Sequence, residues 1–374
     1  MFLESVFKCE RFLQVSFWLN NSELFDDIYS LNEDLMTVFI YIAPVIPEQI
    51  IQRIESLSIN QNFKLLKTQH YSKIINLLLK LAYDAQFFEQ VSHIILKFAE
   101  NEGILDNNAI ATKALKNLYL MVLSGTNASP HQRQIFLSKL MNSNNEQQLE
   151  IAYKLFESAF KTSGWMSFQS FEFGARKRNY GWQPETRNEI KDWYMGFINL
   201  LIPFLKSDKE SQRNFAKELI GTNFDQLYSL IYCFDLLEEV IQENIFNEDW
   251  LTLWFSLKKI IHYNKNIDSE ILIRLKVLEE LTSPTSLIQQ IKVYVLKNTS
   301  EHREVMGENY KEESNKLIEK SIILGKEVAL KFKFFEEITP ELSPSKYSNK
   351  AATLIRFSEN LENMPSKRGD LSLY

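Results

Sequence analysis

From Thr68 onward, apolar residues recur every three or four positions. The stretch HYSKIINLLLKLAYDAQFFEQVSHIILKFAENEG sets Ile74, Leu77, Leu78 and Leu81 on one helical face. After Asp84 it does the same with Phe87, Val91, Ile94, Ile95 and Phe98. The pattern predicts two antiparallel helices joined near Asp84. ATKALKNLYLMVLSG reads as the next helix, ending near Gly125, since glycine often follows a helix C-terminus. Ser129 is placed to cap the following helix, with Pro130 in its first turn. IFLSKLMNSNNEQQLEIAYKLFESAFKTSG then gives a short helix, a polar turn and a longer helix.

Farther on, NEIKDWYMGFINLLIPFLKS predicts a helix kinked or broken at Pro203. Helices over 212–219 and 223–242 continue the series, and DWLTLWFSLKKIIHYN, SEILIRLKVLEELTSP and SLIQQIKVYVLKN supply three more. Residues 1–60 read as short helices. Their apolar run meets Pro44, and Pro47 suits a first turn, where a missing N–H costs nothing. A strand over VFIYI is the competing reading. The alternation of apolar helices with polar turns predicts an all-α fold, a HEAT- or armadillo-like solenoid of antiparallel helix pairs. No strict sequence period is visible. The array covers 1–298, followed by more polar helices over 299–340 and a loosely packed or disordered tail over 341–374, rich in Ser, Asn and Pro. A boundary near 298–310 is the best place to divide the chain.

Composition agrees with this picture. The 374 residues include 27 Phe and 15 Tyr, which require a large core or many small ones between stacked helices. Only 10 Gly and 9 Pro encode few tight turns, which favours helices over sheet. The formal net charge of −6 gives no global drive toward nucleic acid, although a local basic patch remains open. Two cysteines, Cys9 and Cys233, make neither a disulfide framework nor a thiolate cluster and fit a cytoplasmic protein. The first twenty residues are interrupted by Glu4, Lys8, Glu10 and Arg11, unlike a signal peptide, and no apolar run is long enough for a membrane span.

Catalytic motifs are missing. SGTNAS and FGARKRNYG lack the lysine and Ser/Thr of a phosphate-binding P-loop. SGTNAS reads either as a phosphate nest or, more plainly, as a helix end followed by a new N-cap. His70, His93, His131, His262 and His302 lie far apart, and HREVMGE, with His302 and Glu304, lacks the spacing of a zinc protease. The neighbouring pairs Asp26/Asp27 and Glu238/Glu239 do not face one site on a helix. No cofactor and no metal are expected.

The exception to plain helix is FEFGARKRNYGWQP, residues 171–184. It has two readings. As an interface, Arg176, Lys177, Arg178 and Arg187 form a basic rim, with Phe173, Tyr180 and Trp182 as flat anchors for a protein partner. The same mix could hold nucleic acid through phosphates and stacking. As a structural loop, Gly174 and Gly181 permit backbone angles closed to other residues. Tyr180 and Trp182 plug it onto the helices, Phe171 and Phe173 belong to the same structural loop, and Arg176 or Arg178 pairs with Glu172 or a helix carboxylate. Pro184 stops it, and Trp193 covers its base. Thr186 then caps the next helix, with Glu189 at the reciprocal position of a capping box. Trp165, Trp182, Trp193 and Tyr194 are expected to pack around the loop.

Four segments carry a family resemblance: APVIPEQIIQRIE (43–55), HYSKIINLLLKLAYDAQFFEQV (70–91), LSGTNASPHQRQIFLSKLMNS (123–143) and SFQSFEFGARKRNYGWQPETRNEIKDWY (167–194). Together they resemble the helical region that follows the ATPase module in large bacterial STAND-like NTPases, including antiviral defence proteins. The resemblance covers roughly 40–200 and implies a HEAT- or TPR-like sensor or scaffold joined to a P-loop module. It carries no catalytic residue, and the nucleotide-binding and effector modules are missing from this chain. It therefore implies a fragment, a split subunit or a stand-alone relative that partners an NTPase module. The combined reading is a non-enzymatic scaffold for protein recognition in phage defence. A nucleic-acid-sensing scaffold and an unrecognised enzyme are the rivals.

Overall fold

The computed structural model describes residues 27–28, 30–60, 63–102, 109–164, 178–228, 231–244, 250–264, 266–286 and 289–290. It also describes residues 14, 15, 17, 173, 293 and 322–324. Among these residues the fold is all-α, with no strand. The first helices are α1 (Glu33–Ile42), α2 (Pro47–Asn60), α3 (Tyr71–Leu81), α4 (Phe88–Glu102), α5 (Ile110–Leu118), α6 (Pro130–Met141) and α7 (Glu146–Ala159). They are followed by α8 (Arg187–Leu205), α9 (Glu210–Leu227), α10 (Ile231–Asn244), α11 (Leu251–Tyr263) and α12 (Ser269–Leu281). The chain divides into two compact units, Met1–Phe204 and Leu205–Tyr374. The expected boundary near 298–310 lies outside the described residues. So do the expected C-terminal helices and tail, except for 322–324, which are helical.

Burial decides between helix and strand over VFIYI. A strand would put Phe39 and Tyr41 on the same face. Phe39 is fully buried, whereas Tyr41 is 74% exposed, and Met36 shares the inward side with Phe39. The Asn32 side chain accepts from the Leu35 amide, and Glu33 and Asp34 favour the positive end of the helix dipole. Pro47 opens α2 as anticipated.

Within each unit, helices pack on the next helix, on the one after it, or on both. In the first unit α4 packs on α3 and α5, while α3 packs on α5 and α5 on α7. In the second unit α9 packs on α11 and α10 on α12. This double contact is the two-layer stacking of an antiparallel helical solenoid. The first unit buries Ile74, Leu78, Val91, Ile95, Leu115, Leu137 and Leu155 between its layers.

Three boundaries differ from expectation. The helices expected at 212–219 and from 223 begin as one, α9, and the break comes after Leu227. Gly221 does not end a helix; it lets α9 approach α11. A Cβ there would lie 2.7 Å from the Leu253 amide nitrogen. The Gly221 carbonyl accepts from Ser256 Oγ at 2.6 Å, and the Trp250 indole donates to the Lys217 carbonyl at 2.7 Å. Pro203 lies in the last turn of α8, where the helix runs out at Leu205. The third difference is at α5, which stops at Leu118 instead of near Gly125. The residues after it are drawn into the junction described next.

Candidate functional site

Three connections converge at one place in the first unit: the α3–α4 turn, the segment between α5 and α6, and residues 178–184 ahead of α8. The middle segment is bound to each of the other two by main-chain groups. The Gly125 amide donates to the Tyr180 carbonyl at 2.9 Å, and the Trp182 amide donates to the Thr126 carbonyl at 2.8 Å. The Asn127 amide donates to the Tyr83 carbonyl at 2.9 Å, and Thr126 Oγ1 donates to the Ala82 carbonyl at 2.6 Å. Gly181 makes the first pairing possible. Its φ is +87°, and a Cβ there would lie 2.5 Å from the Thr126 nitrogen, 2.8 Å from its carbonyl carbon and closer still to the oxygen.

At the centre is Arg133, in the first turns of α6 and fully buried. A buried cation near a helix N-terminus is disfavoured both by desolvation and by the helix dipole. The surroundings offset this cost. Nε donates to the Ala128 carbonyl at 3.1 Å, and Nη1 donates to the Leu120 carbonyl at 2.9 Å. Nη2 donates to Ser124 Oγ at 3.2 Å and to the Thr126 carbonyl at 3.3 Å. The guanidinium also lies 5.6 Å from the Trp182 ring centroid and 5.2 Å from that of Trp193. Burial pushes its pKa down to about 9, so it remains cationic at neutral pH. Burial also pushes the Tyr119 hydroxyl upward, and that hydroxyl donates to the Arg133 carbonyl at 3.0 Å. The carbonyls gathered around Arg133 explain why α5 cannot continue past Leu118, since a helix would turn them along its own axis.

Trp182 stacks on Trp193 with centroids 5.4 Å apart and planes 15° apart. The Trp193 indole donates to the Ala159 carbonyl at 2.8 Å. Trp193 thus covers the base of the loop, and Tyr194, also buried, donates from its hydroxyl to the Lys161 carbonyl at 2.9 Å. Arg178 makes a second, smaller cation–aromatic layer. Its guanidinium lies 4.4 Å from the Tyr83 ring centroid and 4.5 Å from that of Phe173. Nη1 donates to the Lys80 carbonyl at 2.5 Å, and Nη2 lies 3.6 Å from Asp84 Oδ2. The Tyr83 hydroxyl donates to Asn179 Oδ1 at 2.8 Å.

The expected site residues therefore separate. Phe173, Arg178, Gly181, Trp182 and Trp193 come together, with the Arg178 side chain only 4% exposed and Trp182 half-buried. Pro184 is half-buried beside them. Tyr180 is 52% exposed and Arg187 is exposed. Arg176, Lys177, Phe171, Gly174 and Trp165 lie outside the described residues, as do Cys9, His302 and Glu304. The Thr186–Glu189 capping box forms as expected: the Glu189 amide donates to Thr186 Oγ1 at 3.2 Å, and Glu189 Oε2 accepts from the Thr186 amide at 2.9 Å. The Glu185 and Thr186 amides, both donating to Glu189 Oε2, hold the Glu189 carboxyl below the usual range. Ser129 and Gln132 form a second such box at α6.

Four amides of SGTNAS, those of Gly125, Asn127, Ala128 and Ser129, are committed within the chain, with Ala128 N donating to Thr126 Oγ1 at 3.1 Å. Arg133 went unnoticed in the sequence. Its signal was position: it lies one helical turn before Leu137 and two before Leu140, on the apolar stripe of α6. Among the described residues no three His, Cys, Asp or Glu gather as metal ligands, and no helix is long and apolar enough to cross a membrane.

No protein-family model, no curated protein and no solved structure matches this chain. Nothing in those comparisons ties the helical packing to STAND-like NTPases or to antiviral defence.

Proposed function

We propose that this chain is a non-catalytic helical-repeat scaffold that recognises a protein partner. The observation behind this reading is how the basic aromatic loop is used. Its buried cation and stacked tryptophan lock three connections together, a rigid joint that holds the helix layers in register. The outer helix surfaces are then available for a partner, as in other repeat architectures. Nucleic-acid binding through this loop is less favoured, because presenting Arg178 to phosphates would dismantle its contacts with Tyr83, Phe173 and Asp84.

Within this reading, the STAND-like resemblance suggests an NTPase module as the partner and phage defence as the setting. Affinity purification of the full chain from uninfected and phage-challenged lysate tests the proposal. The expected result is a protein that co-purifies in stoichiometric amount. Recovery of none under either condition counts against it.

A further inference from the structure

Beside the junction, the layer formed by α3, α5 and α7 holds an open groove of about 550 Å³. That volume falls in the range of ligand clefts, about 300–1,000 Å³. Its floor is apolar: Ile75, Leu79, Ala114 and Leu120 are all buried side chains. Its border is basic and polar. Lys113 lies one turn before Lys116 and Asn117 on the groove face of α5, Asn76 comes from α3, and Lys161 follows α7. Glu157 beside this border is tied to Lys116 at 3.3 Å. Among the described residues no carboxylate lines the groove. A chain of net charge −6 thus places three lysines around one apolar trough.

The geometry points to a binding site for an extended acidic peptide of the partner protein. Resting on the scaffold reading above, this names the surface and the chemistry of what it takes. In an extended peptide, side chains alternate between two faces. One face can lay apolar groups on the Ile75–Leu79–Ala114–Leu120 floor. Carboxylates at the edges meet Lys113 and Lys161. The carboxamides of Asn76 and Asn117 each offer a donor and an acceptor to a peptide main chain. A small anion would use the lysines and leave the floor uncovered.

The test is fluorescence anisotropy of the full chain with a labelled peptide of five Glu-Leu repeats, beside one of five Lys-Leu repeats. The Glu-Leu peptide is expected to bind and to weaken as salt rises from 50 to 300 mM, because exposed charges are screened. The double variant K113A/K161A is expected to lose about tenfold in affinity and K139A, on α6, less than about twofold, since rim charges act locally. Circular dichroism confirms that both remain folded. Equal binding of the two peptides, or no effect of K113A/K161A, overturns the inference. Displacement of the peptide by a dT10 oligonucleotide at lower concentration than unlabelled peptide overturns it too, in favour of nucleic acid. The same variant in the affinity purification separates the two proposals. A partner recovered equally by wild type and K113A/K161A removes the groove and leaves the scaffold. Tight peptide binding without any recovered partner supports the groove and removes the scaffold reading.

Discussion

Replacing Gly181 by alanine attacks the junction at a single atom. At φ +87° an L side chain is strained by about 1–2 kcal/mol. The new Cβ also runs into the Thr126 main chain, which cannot swing aside as a flexible side chain would. Relief requires the two strands of loop to part. That breaks the Gly125–Tyr180 and Trp182–Thr126 hydrogen bonds, each worth about 0.5–1.5 kcal/mol. Pulling Trp182 from Trp193 removes a further stacking contact worth about 0.5–1.5 kcal/mol. The expected loss is about 2.5–6.5 kcal/mol, a large part of the ~5–15 kcal/mol that holds a domain folded. Gly164 supplies the control. Its φ is +69°, yet among the described residues nothing lies within 4 Å of a Cβ built there, so Gly164→Ala should cost the strain alone, about 1–2 kcal/mol. Urea unfolding followed by tryptophan fluorescence and circular dichroism compares the two. Equal losses for G181A and G164A would refute the contact argument.

Arg133→Met should destabilise the first unit by about 2–4 kcal/mol, because the buried Leu120 and Ala128 carbonyls lose their donor. Arg133→Lys should not rescue it, since an ammonium cannot reach those carbonyls and stack on both indoles, and thermal melts of the two variants check this. His93, edge-on to Phe136 at 4.9 Å, is held below its ordinary pKa chiefly by burial, against the pull of Glu89. As pH falls below about 6.5 the unfolded chain takes up the proton first, so stability falls with acid. His93→Gln should flatten that slope between pH 7 and 5 in denaturant melts; an unchanged slope would assign it to other groups.

Much of the helical framework was legible because its signals are local. The stripes of α3 and α4, Ser129 with Pro130, and Thr186 with Glu189 each need only residues within a turn of one another. The loop's internal anchoring was legible in part: Trp193 covers its base, but Arg178 meets Asp84, in the α3–α4 turn and not on a helix, and Glu172 lies outside the described residues. What stayed hidden depends on distant partners. Gly221 resembles a helix breaker until α11 is seen against it. The end of α5 is set by carbonyls turning to Arg133, which follows them in the chain. Arg133 itself looks like an ordinary surface residue, and only its place on the apolar stripe of α6 hints that it is buried. The groove assembles residues from three helices, so no contiguous motif announces it.

That the aromatic loop is built into the fold is tested most directly by amide hydrogen exchange at Gly125 and Trp182 in the full, unliganded chain. Both amides are bonded across the junction to carbonyls of the opposite segment. They should exchange as slowly as the interior amides of α3, opening only when the first unit unfolds. Exchange within seconds, at the rate of an unprotected loop, would show that Arg133 and the tryptophan pair do not hold the three connections together.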